Sequence, residues 1–288
     1  MSHTILITGA TGRVGAEIAK QLATLPPNTI KVRLAMRDIV KGRAQFGDAF
    51  DYVPFDLKQP DTFSKAFEGV DRLFLMRPPT VDNIKDTFES ALNVAHTAGV
   101  KHIVYLSVIG AGSNRLVPHH QIEKLIEASG MDWTFLRAGY FMQNMNTIHR
   151  DEIRERNEIF VPAGTSKTNM IDVRDIAAVG VLALTQDSHA RQAYTLTGSQ
   201  ALDYYEVADQ LTAVLGRPIQ YKKPSLMQFW RQQRQQHADT IMTVIMTVLY
   251  TTARLGLAAD VSPETAQLLG RAPIRFRQYA QDYKSDWQ

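Results

Sequence analysis

The 288-residue chain contains no cysteine, which excludes disulfides, thiolate metal sites and a cysteine nucleophile at once. Apart from the adjacent His119 and His120, its histidines (His3, His96, His102, His149, His189 and His237) scatter without ligand spacing, so no metal centre is expected. Charge of one sign is also scarce. The formal net charge is +3 and Lys and Arg form no stripe, so nucleic acid is not an expected partner. Long apolar runs are missing too. The most apolar stretch, 241–258, is broken by Thr243, Thr247, Thr251, Thr252 and Arg254, with Asp239 just before it. A bilayer span needs about 20 mostly apolar residues, so a buried helix is expected and no membrane. Met1-Ser2-His3-Thr4 shows neither a basic leader nor a signal core, and the expected location is the cytoplasm.

Against these absences stands Thr8-Gly9-Ala10-Thr11-Gly12-Arg13-Val14-Gly15. It follows the apolar run Ile5-Leu6-Ile7 and leads into Ile18, Leu22 and Leu25 at helical spacing. Strand, glycine turn and helix in this order hold a dinucleotide pyrophosphate. Gly9 allows the tight turn, Gly12 lets backbone N–H groups approach phosphate, and Gly15 lets helix and strand pack closely. The helix N-terminus then favours the negative charge.

Further along, 31–36, 52–55, 72–76, 102–107 and 133–137 read as strands. Between them 61–67, 84–95 and 118–129 carry apolar residues at helical spacing, and Gly99 follows the second as a helix stop. Such alternation indicates a parallel sheet covered on both faces. After about residue 150 helical segments dominate, at 173–184, 204–215, 226–235 and 239–257, with short strands at 159–161, 193–196 and 219–221. The expected fold class is therefore α/β, a Rossmann-type doubly wound parallel sheet with a smaller, mostly helical C-terminal lobe. The expected domains are residues 1–155, binding NAD(P), and residues 156–288, a substrate or partner lobe interleaved with the first. Ligands sit outside strand C-termini in such sheets, which puts the expected cleft over Gly9–Val14, Arg37, 76–79 and 107–111.

The end of the second strand reads the adenosine ribose, where a carboxylate suits the 2′-hydroxyl of NAD and an Arg the 2′-phosphate of NADP. The sequence there is Leu34-Ala35-Met36-Arg37-Asp38, with Lys41 following. A guanidinium matches phosphate oxygens, so NADP(H) is preferred over NAD(H), although Asp38 leaves NAD open.

Several segments, in sequence order, resemble the NmrA-like branch of the atypical short-chain dehydrogenases/reductases. They are Gly9-Ala10-Thr11-Gly12-Arg13-Val14-Gly15, Met36-Arg37-Asp38, Phe67-Glu68-Gly69-Val70-Asp71-Arg72-Leu73 and Gly99-Val100-Lys101-His102-Ile103-Val104-Tyr105. Glu123-Lys124-Leu125-Ile126-Glu127-Ala128-Ser129-Gly130, Phe135-Leu136-Arg137-Ala138-Gly139-Tyr140-Phe141-Met142-Gln143-Asn144, Asp172-Val173-Arg174-Asp175-Ile176-Ala177 and Leu268-Leu269-Gly270-Arg271-Ala272-Pro273 continue the likeness over nearly the whole chain. The family's Arg-Pro-Gly stands here as Arg137-Ala138-Gly139. The branch includes NADPH-dependent quinone oxidoreductases, dye and azo reductases, and NmrA itself, a regulator that binds dinucleotides without turning them over. The resemblance thus implies fold and cofactor more strongly than activity.

Typical short-chain dehydrogenases use Tyr-x-x-x-Lys and a Ser from the preceding strand. This chain has no Tyr-x-x-x-Lys; His120-Gln121-Ile122-Glu123-Lys124 takes its place, with Ser107 before it. Residues four apart share a helix face, so both side chains are expected to face the cleft. The resemblance implies that Lys124 holds the nicotinamide ribose, and His120 is expected to serve as proton donor, with Ser107 as a further catalytic or cofactor-binding residue. A solvated His pair and a Ser bonded to a neighbour are the simpler alternatives. The full set expected at the cofactor is Gly9, Thr11, Gly12, Arg13, Val14, Gly15, Arg37, Lys41, Asp56, Leu57, Met76, Arg77, Pro78, Ser107, Lys124 and Tyr140. Phe141 and Met142 are expected at the substrate or, equally, in the core.

Loss of the Tyr argues against alcohol–ketone interconversion and epimerase chemistry, and less against quinone reduction, where the hydroquinone anion takes its proton from water. The leading expectation is an NADPH-dependent oxidoreductase acting on quinones or similar electrophilic aromatic acceptors. The alternative is a non-catalytic NADP(H)-sensing regulator with a protein partner. A homodimer is left open.

Overall fold

Ile5, Leu6 and Ile7 are fully buried, as a strand covered on both faces must be. In chain order the elements are β1 (His3–Thr8), α1 (Arg13–Ala23), β2 (Ile30–Met36), α2 (Ile39–Phe46), β3 (Asp51–Pro54), α3 (Phe63–Phe67), β4 (Arg72–Met76), α4 (Ile84–Thr97), β5 (His102–Val108), α5 (Pro118–Ala128) and β6 (Asp132–Ala138). They continue with β7 (Tyr140–Phe141), α6 (Arg150–Arg156), β8 (Glu158–Ile159), β9 (Thr168–Ile171), α7 (Val173–Thr185) and β10 (Gln192–Leu196). The rest is β11 (Ala201–Leu202), α8 (Tyr204–Leu215), β12 (Gln220–Tyr221), α9 (Leu226–Gln235), α10 (Thr240–Arg254), α11 (Glu264–Leu269) and α12 (Phe276–Asp282). This computed structural model describes residues 3–26, 30–81, 83–235 and 239–288. Met1 and Ser2 at the N-terminal end, and His237, lie outside the described residues.

Two compact units divide the chain, Met1–Ala138 with Val173–Leu196, and Gly139–Asp172 with Thr197–Gln288. The first unit holds, among the described residues, a seven-stranded sheet in the order β10-β6-β5-β4-β1-β2-β3. Its pairings are all parallel. From β1 the chain runs outward to β2 and β3, then starts again on the other side at β4. The strand order therefore reverses between β1 and β4, where α/β sheets bind ligands.

Segments 173–184 and 193–196 fall within the expected second lobe, 156–288, interleaved with the first; in the structure α7 and β10 belong to the first unit. β10 pairs with β6 along Gln192↔Thr134 to Leu196↔Ala138, and α7 is the crossover that a parallel neighbour requires. Gly180 lets α7 lie against α1, since a Cβ there would stand 3.0 Å from Ile18 Cδ1.

The second unit has a three-stranded sheet, β11-β9-β7, and the pair β12–β8 among the described residues. Met145, Ile153, Val207, Phe229, Tyr250, Phe276 and Trp287 share its core. The stretch 241–258 is largely the helix α10, but the expected burial holds for one face only: Thr243, Met246, Tyr250 and Ala253 are buried, while Ile241, Met242, Val244 and Val248 are exposed. No described helix is long and apolar enough to cross a membrane, and no described cluster of His, Asp and Glu could hold a metal ion.

Candidate functional site

The glycine turn after β1 is shaped by close contact. Gly9 has φ +62°, a left-handed conformation suited to glycine. A Cβ on Gly9 would lie 2.1 Å from Met76 Sδ, and one on Gly15 would lie 2.5 Å from the Gly9 carbonyl oxygen. Gly12 N donates to Gly9 O at 2.8 Å, closing the turn. Gly12 is the N-cap of α1 and offers no side-chain cap, and the first turn has no acidic residue. The start of α1 is thus an uncapped positive end behind a cradle with no room for side chains, which fits a pyrophosphate. Thr8 joins β1 to β4 beside it: its hydroxyl donates to Phe74 O at 2.9 Å and accepts from Met76 N at 3.2 Å.

At the end of β2, Arg37 and Lys41 are exposed and carry no ion pair among the described residues. Asp38 has a different task. It is the N-cap of α2, and its carboxylate accepts from Lys41 N at 3.0 Å. One carboxylate oxygen is therefore committed to the helix, which leaves the guanidinium of Arg37 as the free group facing outward. Asp56 holds its own loop by accepting from Lys58 N at 2.9 Å, and Leu57 is buried. Arg77 donates from Nη2 to Val81 O at 3.0 Å, while its Nε is buried with no partner. Pro78 and Arg77 are half-buried at the end of β4.

The end of β5 holds a network that sequence reasoning did not assign. Ser107 Oγ donates to Glu123 Oε1 at 2.6 Å, and Arg137 donates to both oxygens of the same carboxylate at 3.0 and 2.7 Å. Ser107 and Glu123 are each 1 % exposed. Gly112 makes room for this guanidinium, since a Cβ there would meet Arg137 Nη1 at 2.6 Å. A carboxylate only accepts, so the single Ser107 proton is committed to Glu123. The signal was present in the sequence: Glu123 sits between Ile122 and Ile126 on the apolar face of α5, where a charge needs a partner.

The His-Lys pair on α5 separates. His120 Nδ1 lies 2.7 Å from Ala111 O, and a carbonyl accepts, so Nδ1 carries the proton. Lys124 points to solvent and pairs with Glu127 Oε2 at 2.7 Å. His119 instead turns inward to Tyr105, 6.1 Å between ring centroids. Burial, then the Arg77 guanidinium, push the His119 pKa down to about 4, so it is neutral near pH 7. Tyr105 is fully buried with an unpartnered hydroxyl, and burial pushes its pKa well above the usual phenol range.

Tyr140, Phe141 and Met142 belong to the second unit. The Tyr140 hydroxyl donates to Leu249 O of α10 and lies 3.1 Å from Thr252 Oγ1, with its pKa pushed up to about 12 by burial. Met142 is 2 % exposed within that unit's core, and Phe141 pairs with Ile171 of β9. Thr11, Arg13 and Val14 lie at the turn in the first unit, with Val14 buried under the helix.

Fold and turn together define a dinucleotide-binding protein of Rossmann type. The NmrA-like family model matches residues 1–268, and the chain belongs to the NmrA-like family. The NAD(P)H azoreductase of Xenophilus azovorans is 35% identical over 282 residues, covering 96% of each chain. Among solved structures, the Citrobacter triphenylmethane reductase complexed with NADP(H) superposes with a TM-score of 0.86 at 23% identity, covering 97% of this chain and 99% of the other. The NADPH-dependent quinone oxidoreductase QOR2 of Escherichia coli, complexed with NADPH, gives 0.85 at 24% identity with the same coverage.

Proposed function

We propose that this protein is an NADPH-dependent oxidoreductase that reduces quinones, azo compounds or related electrophilic aromatic acceptors. One observation carries the cofactor reading: an uncapped α1 N-terminus behind a glycine cradle, with Arg37 free at the end of β2 while Asp38 caps α2. The azoreductase relative, alike over nearly its full length, supports the class of reaction.

When bound, NADPH supplies the hydride. The chain's own residues bind and orient. Backbone N–H groups around Thr11, Gly12, Arg13 and Val14 hold the pyrophosphate, and Arg37 with Lys41 holds the 2′-phosphate. Met76 and Pro78 flank the turn. Lys124 takes the ribose in exchange for its exposed pairing with Glu127. The Ser107 proton faces Glu123 and the His120 Nδ1 proton faces a carbonyl, so a strongly basic alkoxide finds no ready acid there. Quinone acceptors suit such a site, because the weakly basic hydroquinone anion takes its proton from water. Catalysis is then chiefly orientation of two partners.

The same commitment of protons favours a second reading, an NADP(H) sensor that turns nothing over. Steady-state NADPH oxidation against a panel of benzoquinones, naphthoquinones and azo dyes separates the two. Saturable turnover with an acceptor supports the reductase. Tight NADPH binding without turnover supports the sensor.

A further inference from the structure

The second unit carries a groove that the cofactor site does not involve. It has a volume of about 670 Å³ and is lined by Leu226, Met227, Trp230, Arg231, Arg234 and Gln235. From Met227 onward these recur at i, i+3, i+4, i+7 and i+8, one face of α9. The opposite face fixes the helix: Phe229 is 2 % exposed in the core, and Gln232 Nε2 donates to the buried Glu152 Oε1 at 3.0 Å. Glu152 in turn accepts from His149 Nδ1 at 3.0 Å. The groove wall is therefore held from behind, although Met227 itself is 82% exposed.

Its chemistry is uneven. Leu226, Met227 and Trp230 give an apolar, polarisable surface suited to a flat ring. Arg231 and Arg234 are exposed, and neither has an ion pair or hydrogen bond among the described residues. No acid lies on α9, and the carboxylate of Asp239, which follows it, is committed to Met242 N at 2.8 Å. Two unpartnered guanidiniums beside an aromatic surface select an anion that carries an aromatic body. A volume of this size is in the range of small-molecule sites.

We propose that the α9 groove is a binding site for anionic aromatic small molecules, with Trp230 and Met227 receiving the ring and Arg231 and Arg234 the carboxylate or sulfonate. The site stands apart from the reductase reading, because binding is measured without NADPH. The test is calorimetric titration of the intact protein with naphthoate and with naphthamide, its uncharged counterpart of similar shape. Wild-type protein is expected to bind naphthoate saturably and at least about tenfold more tightly than naphthamide. The R231Q/R234Q variant is expected to lose that preference while keeping its circular dichroism and its NADPH affinity. Equal binding of acid and amide, a preference that survives in the variant, or no binding of either would overturn the proposal. An NADPH oxidation assay run alongside reports on the reductase reading separately.

Discussion

At the scale of single residues, Arg37 and Gly15 carry the sharpest consequences. Replacing Arg37 with Ala removes a charged hydrogen-bond donor and should weaken NADPH binding by roughly 1.5–3 kcal/mol while sparing NADH. Fluorescence titration with both cofactors checks this, and equal losses would contradict the assignment. Gly15→Ala puts a Cβ 2.5 Å from the Gly9 carbonyl oxygen. Backbone cannot step aside as a flexible side chain does, so about 1–3 kcal/mol of stability should be lost together with NADPH affinity. An unchanged denaturation midpoint would show that the turn is looser than described. These two residues were legible in the sequence because each belongs to a local motif. Glu123 and Arg137 were not. They lie 14 positions apart, and only the approach of α5 to the end of β6 makes them a pair.

At the scale of elements, that pair holds α5 against the sheet. Glu123→Gln leaves the Arg137 guanidinium short of its counter-charge, and because that side chain is 24% exposed the cost is moderated by solvent, to about 2–4 kcal/mol. A urea midpoint equal to that of the wild type would refute the pairing. A buried histidine in the sheet and a half-buried one on α5 make this region sensitive to acid. His102 donates from Nε2 to Thr134 Oγ1 at 2.8 Å, since the Thr134 hydroxyl proton goes to His189 O at 2.6 Å. Burial, then the Arg72 guanidinium, push its pKa from 6.5 to about 4, and His119 behaves alike. The unfolded chain therefore binds these protons more tightly than the folded one. Their contribution is full above about pH 6.5 and lost as pH falls from there through about 4. Urea midpoints measured across that window should drop on acidification, and a His102→Gln/His119→Gln variant should flatten the drop. A wild-type midpoint independent of pH would contradict this.

At the scale of the whole molecule, the strands β1, β4 and β5 were readable as apolar runs, because burial on both faces leaves little room for other residues, whereas β2 and β6 are only partly buried and carry charged residues. β10 was misplaced: Gln192, Ala193, Tyr194 and Thr195 are exposed or only half-buried at the sheet edge, so no periodicity marks the return of the chain. β9 was missed since Thr168 and Asn169 are buried polar residues, and the two-residue strands β7 and β11 are too short to leave a pattern, whereas β8 and β12 overlap the expected strands 159–161 and 219–221. The chain's passage out of the first unit at Ala138 and back at Val173 is a property of pairing, not of composition. We propose that the first unit presents NADPH for hydride transfer to an electrophilic aromatic acceptor. The most direct test is a single turnover: protein with bound NADPH in slight deficit is mixed with increasing naphthoquinone, and nicotinamide absorbance is followed in a stopped-flow instrument. The reduced absorbance is expected to disappear at a rate that saturates with quinone and far exceeds the protein-free rate. Bound NADPH that persists at the protein-free rate, across the quinone and azo panel, would contradict it.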